Sequence, residues 1–211
     1  VATNGENSIA VAGGANLKLT PALVRKAAPA IRSADTLLIQ LETPLESILT
    51  AVQIATKAGV RVILNPAPAQ KLPSNIFNLV DILTPNETEA ELLTGLQVRN
   101  NKEAAKAAIT LQKAGAKNVI ITLGSRGALV AADGVAPQIV PPYHVTALDT
   151  TAAGDTFNGA LAVALAEGRP LLESARFASA AAAISITRLG AQSSAPKRME
   201  IEKLMRRQST F

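Results

Sequence analysis

The chain has 211 residues, 48% hydrophobic, 18% charged and only 2% aromatic, with a formal net charge of +5. That length supports one full α/β core, and its interior must be built from Ala, Val, Leu and Ile. The absence of cysteine excludes disulfides, thiolate metal sites and cysteine nucleophiles, and no segment has the uninterrupted apolar length of a membrane span.

In chain order, Asn4 to Asn7 read as a turn, followed by a short apolar strand, Ser8 to Ala12. Leu19 to Ala34 predict one helix, capped by Thr20 with Pro21 at its first position. A buried strand follows from Asp35 to Glu42. The next helix repeats that grammar, with Thr43 as cap, Pro44 first and Gly59 as stop. "VRVILNPAP" is a strand broken by its prolines. "LVDILTPNETEAELLTG" is a strand that ends at Pro85 and then a helix. "NKEAAKAAITLQKAGA" is a helix, and "KNVIITLGSRGALVAADG" holds two short strands around a glycine-containing turn. "PQIVPPYHVTALDT" is extended. Two Ala-rich helices, from Gly154 to Ala166 and from Leu171 to about Arg188, precede a basic terminal helix. This alternation of strands and helices predicts a mainly parallel sheet in one domain spanning residues 1–211.

Three stretches carry candidate chemistry. "TTAAGD" opens a helix, where glycine admits a ligand close to the backbone. The first N–H groups of a helix lack intrahelical partners and, with the helix dipole, favour anions. Asp155 beside them is either a proton acceptor for an attacking hydroxyl or a simple helix-start acid. "TLGSRG", Thr122 to Gly127, follows a strand and either wraps a nucleotide's phosphates or makes an ordinary turn. Asn86 and Glu89, one helical turn apart, either organise water around Mg²⁺ or mark a helix start. No G-x-x-x-x-G-K-[ST] loop is present, so any nucleotide site is of another design.

"DTTAAGDTFNGAL", "NPAPA", "TPNETEAE", "ITLGSRG" and "TRLGAQSSAP", in that order, together with "QLETPLES", resemble the ribokinase-like family of sugar and nucleoside kinases. The resemblance runs from about Asn4 to the C-terminus. It implies a three-layer αβα sandwich with a mainly parallel, Rossmann-like sheet, and ATP-dependent phosphorylation of the ribose 5-hydroxyl. By that resemblance Asp155 is the catalytic base, and Ala152, Ala153 and Gly154 form the anion hole. Asn86, Thr122, Leu123, Gly124, Ser125, Arg126, Gly127, Gly154, Asp155 and Ser179 bind ATP. Glu42 and Asp155 contact the sugar, and Glu89 holds Mg²⁺ through water. Asp149, Thr151, Ser185, Arg188, Gly190 and Ser194 hold a monovalent cation, K⁺. Such a cation would reinforce the positive field at the helix start.

The family's opening Gly-Gly-Lys-Gly-x-Asn motif, its early sugar-binding Asp and most of its β-sheet lid have no counterpart here. The sequence is therefore expected to be part of a longer protein, or a truncated form lacking those N-terminal strands and the lid. The complete protein is expected to be a cytoplasmic homodimer. Its expected partners are ATP and ribose or a related small sugar, with neither nucleic acid nor membrane among them. Other acceptors (deoxyribose, a ketohexose, a nucleoside) and a non-catalytic nucleotide-binding role are the alternatives. His144, the only histidine, has no partner cluster and reads as a surface or strand residue. The terminal "KRMEIEKLMRRQ" reads as a solvated helix face.

Overall fold

The computed structural model describes residues 13–208. The predicted turn and strand within residues 4–12 lie outside them. The described residues fall into two compact units. The larger comprises 13–123 and 129–139, and the smaller comprises 124–128 and 140–208.

The larger unit is built on a sheet whose strands run in the order β1 (Thr36–Ile39), β2 (Arg61–Leu64), β3 (Ile82–Leu83), β4 (Asn118–Thr122), β5 (Ala128–Ala131) and β6 (Gln138–Val140). The first four are parallel, with Ile39 opposite Leu64 and Leu83 opposite Val119. This is the expected α/β class with a mostly parallel sheet. Parallel strands buried on both faces read as continuous apolar runs, and β2 shows why, since Val62, Ile63 and Leu64 are all fully buried.

The helices of this unit bury one face each. In α3 (Leu45–Lys57), Ile48, Ala51, Val52 and Ala55 recur at helical spacing and are buried. In α5 (Asn101–Lys113) the buried set is Ala104, Ala107, Ala108 and Leu111. All of these except Ala51 join Leu64, Leu83, Val119 and Ile121 in one core cluster. Each large aliphatic side chain fully buried there contributes roughly 1.5–3 kcal/mol relative to exposure.

Three local expectations change. The helix predicted over 19–34 is two short ones, α1 (Pro21–Lys26) and α2 (Ala28–Arg32). Pro29 cannot donate to the carbonyl of Arg25, so the helix breaks just before it. Thr20 does cap α1, accepting from the Leu23 N–H at 3.3 Å. At α3, Pro44 is itself the cap, with ψ 132°, and Thr43 precedes it. Strand β1 ends at Ile39 rather than Glu42 because the chain turns away, and the Leu41 N–H donates to the Ala67 carbonyl instead. The Ala67–Pro68 peptide bond is cis.

The smaller unit is helical. It contains α6 (Ala153–Ala166), α7 (Leu171–Ser185) and α8 (Arg198–Gln208). Remaining helix α4 (Glu87–Thr94) belongs to the larger unit. Ala164, Ala180 and Ala181 let α6 and α7 approach closely, and Phe177 and Ile201 complete that core. The terminal helix is not merely a solvated face, since Ile201 is buried and Arg198 pairs with Glu167.

Candidate active site

In the larger unit, the carboxyl ends of four parallel strands share one edge, where ligands of open α/β sheets bind. The ladder continues past the strands there. Asn65 N–H donates to Ile39 O at 2.9 Å, Thr84 N–H to Leu64 O at 3.0 Å, and Thr122 N–H to Pro85 O at 3.0 Å. This pairs Asn86 with Thr122 as a parallel bridge. Glu42 is exposed in the bend beyond β1, beside the same edge. Leu123 is buried and closes β4.

Asn86 caps α4 through a reciprocal pair. Its Oδ1 accepts from the Glu89 N–H at 2.8 Å, and Glu89 Oε2 accepts from the Asn86 N–H at 2.8 Å. Glu89 Oε1 also accepts from Asn86 Nδ2 at 3.0 Å. Burial raises the Glu89 carboxyl above the ordinary glutamate range, partly offset by the hydrogen bond from the Asn86 backbone. The first task of Glu89 here is thus to fix Asn86. Its oxygen donors suit a hard cation held through water, but each already accepts a hydrogen bond. Among the described residues, no group of three or more His, Cys, Asp or Glu side chains is placed to hold a metal ion.

Asn65 was not singled out in the sequence, yet it is buried and its Nδ2 donates to Thr84 O at 2.9 Å. It props the segment that leads into Asn86. The signal available was a polar amide between a strand end and a proline, in "NPAPA".

In the smaller unit, Gly124, Ser125 and Arg126 form one 3₁₀ turn, closed by Gly127 N–H donating to Gly124 O at 3.1 Å. Gly124 has φ 54° and Gly127 φ 88°. A Cβ on Gly127 would lie 2.1 Å from Val140 O, so this position requires glycine on two grounds. Ser125 is exposed and Arg126 half-buried.

Helix α6 opens without a side-chain cap. Ala152 precedes it at φ 58°, ψ 17°, the one non-glycine residue with positive φ among those described. An L-residue pays roughly 1–2 kcal/mol for that conformation. The first intrahelical bond is Thr156 N–H to Ala152 O, 2.9 Å. Ala153, Gly154 and Asp155 thus form a first turn ahead of it, with Gly154 and Asp155 exposed. A Cβ on Gly154 would meet nothing within 4 Å. Asp155 also lines a cavity of about 580 Å³ with Ala152, Thr156, Gly159, Phe177 and Arg198. Ser179 is half-buried on α7.

The loop before α6 is held by Asp149, which is 4% exposed. Its Oδ1 accepts from the Thr151 N–H and its Oδ2 from the Gly190 N–H, both at 2.9 Å. The Thr151 hydroxyl first, then these two N–H groups, hold its carboxyl below the ordinary aspartate range. Ile186 O accepts from the N–H groups of Leu148 and Asp149. Ser185 and Ser194 are fully buried, donating their hydroxyls to Ala182 O and Ala191 O. Arg188 N–H donates to Ser185 O at 3.1 Å. The structure thus ties Asp149 and Thr151 to the 185–190 segment. Its carboxylate, hydroxyl and carbonyl oxygens are the donor type that suits an alkali cation, and both Asp149 oxygens already accept hydrogen bonds. His144 is exposed and exchanges hydrogen bonds with Gln208, outside any strand.

Among the described residues, no helix is long and apolar enough to cross a membrane. A ribokinase of Haemophilus influenzae is 51% identical over 200 residues, covering 95% of this chain and 65% of the relative. One from Staphylococcus aureus is 42% identical over 205 residues, covering 97% of this chain and 67% of the relative. Arabidopsis thaliana ribokinase, solved with ribose and ATP, matches at TM-score 0.89 and 35% identity, covering 96% of this chain and 66% of that one. The chain thus spans about 65% of the Haemophilus relative's length. The family described as pfkB family carbohydrate kinase matches residues 1–198. The chain belongs to the pfkB family of carbohydrate kinases.

Proposed function

We propose that the protein transfers the γ-phosphoryl group of ATP to the 5-hydroxyl of D-ribose. One observation carries the reading: α6 opens uncapped behind a left-handed Ala152, with an exposed first turn that contains a carboxylate. Asp155 accepts the hydroxyl proton as the ribose oxygen bonds to the γ-phosphorus. The bond from that phosphorus to the bridging oxygen breaks, and ADP leaves with the electron pair. Ala152, Ala153 and Gly154 form the anion hole that stabilises the charge on the transferring group, a contribution of about 3–4 kcal/mol per donor in comparable anion holes. The Ala153 N–H exchanges its 3.3 Å bond to Thr150 O for a phosphoryl oxygen.

Asn86 and Thr122 contact the nucleotide phosphates at their sheet edge. Leu123, Gly124, Ser125, Arg126 and Gly127 follow the nucleotide with their backbone, and Ser179 contacts it from α7. Glu42 hydrogen-bonds sugar hydroxyls. Magnesium, bound to the phosphates with Glu89 contributing through water, neutralises phosphate charge. Potassium would be held by oxygens of Asp149, Thr151, Ser185, Arg188, Gly190 and Ser194. The complete protein works as a cytoplasmic homodimer.

Asp155→Asn tests the reading in the complete protein. Turnover should fall about 10²–10⁴-fold, with ATP affinity by calorimetry unchanged. Near-normal turnover would remove Asp155 from the base role. A panel of ribose, deoxyribose and ketohexoses, read by ADP release, tests the acceptor.

A further inference from the structure

The 185–190 segment is held from two sides. On one side, Ile186 O and the Gly190 N–H bind the Asp149 loop, which in turn holds Thr151 just before Ala152. On the other side, the Arg188 guanidinium pairs with Glu200 Oε1 on α8. Glu200 is itself fixed, because its Oε2 accepts from the Lys197 N–H at 2.8 Å at the start of that helix. Helix α8 is anchored independently by buried Ile201 and by Arg198, which pairs with Glu167 at the far end of α6 and lies 5.6 Å from the Phe177 ring centre.

The Arg188 and Glu200 side chains are 35% and 41% exposed. A pair so solvated adds little to stability. Its geometric consequence is larger, since it joins a braced helix to the segment on which the α6 mouth is built. We propose that Glu200 is a positioning residue for that mouth, acting through Arg188, the 185–190 segment and Asp149. The structural coupling stands by itself, and only its catalytic consequence rests on the proposed phosphoryl transfer.

Hydrogen exchange of the complete protein, resolved by residue, tests the coupling without an activity assay. In Glu200→Gln, the Thr151 and Gly190 amides should exchange up to about fivefold faster, while Leu161 and Phe177 in the α6–α7 core stay as in wild type. Glu202→Gln, on the same helix but facing Arg198 at 3.9 Å, should leave Thr151 and Gly190 unchanged. Unaltered exchange in Glu200→Gln, or equal acceleration in Glu202→Gln, overturns the proposal. In a kinase assay, Glu200→Gln should raise the half-saturating potassium concentration and spare turnover at saturation. An inactive wild type would count against the proposed reaction and leave the exchange result standing.

Discussion

Helices α4 and α6 both begin with an acidic residue in their first turn, and they use it in opposite ways. At α4, Glu89 folds back onto the Asn86 N–H while Asn86 accepts from Glu89, so the helix closes its own mouth with its own side chains, Glu89 buried and Asn86 exposed. At α6, the cap position is an alanine in the left-handed region, Asp155 stays exposed, and the loop is held from outside by Asp149. Capping satisfies the first N–H groups and stabilises the helix; leaving the mouth open keeps those groups for an incoming anion. Changes at the α4 mouth should therefore register in stability as well as in nucleotide binding, and changes at the α6 mouth in catalysis with stability kept.

Gly154→Ala puts that contrast to its strongest test. The added methyl meets nothing within 4 Å in the folded chain, and alanine favours the helix, so stability should stay level or rise by up to about 1 kcal/mol. If the α6 mouth takes the phosphoryl group as proposed, the methyl intrudes on it, so turnover should fall about 10²-fold, comparable to loss of one anion-hole donor. Thermal melts and steady-state kinetics on one preparation test both halves. A stable variant with full turnover would mean that the α6 mouth is not an anion site. Next in size, Asn86→Ala removes the cap of α4 and should cost about 1 kcal/mol in urea unfolding.

Much of this was legible in the sequence, for physical reasons. Start and stop residues located α3, and Gly95 at φ 71° stops α4 as a helix-ending glycine does. The pattern S/T/D/N followed three residues later by Glu gives a capping box directly, and Asn86–Glu89 has it. "AAGD" carries no such code, because whether a first-turn acid turns inward depends on the cap's backbone angles. The loop that ends in left-handed Ala152 is tied by Asp149, whose bond to Gly190 spans 41 positions. Contacts that distant leave no local pattern, and the same holds for Asn65 under Thr84 and for Glu200 under Arg188. Pro29 was visible, yet its break in the 19–34 helix was lost among good helix formers around it.

The two structural carboxylates give the finest test, because their titrations run in opposite directions. The hydrogen bonds to Asp149 depress its carboxyl in the folded state. It therefore contributes stability above the ordinary aspartate pKa and loses it as pH falls through the depressed value. Burial raises Glu89, so the folded state binds its proton more tightly than the unfolded chain does. Stability must then decline as pH climbs from the ordinary glutamate range through the raised value. Urea unfolding across a pH series should show Asp149→Asn flattening the acid limb and Glu89→Gln flattening the decline above it. If Glu89→Gln instead flattened only the acid limb, its carboxyl would be held ionised in the fold. The reciprocal bonds from Asn86 would then outweigh burial at the α4 mouth, and Glu89 and Asp149 would titrate alike.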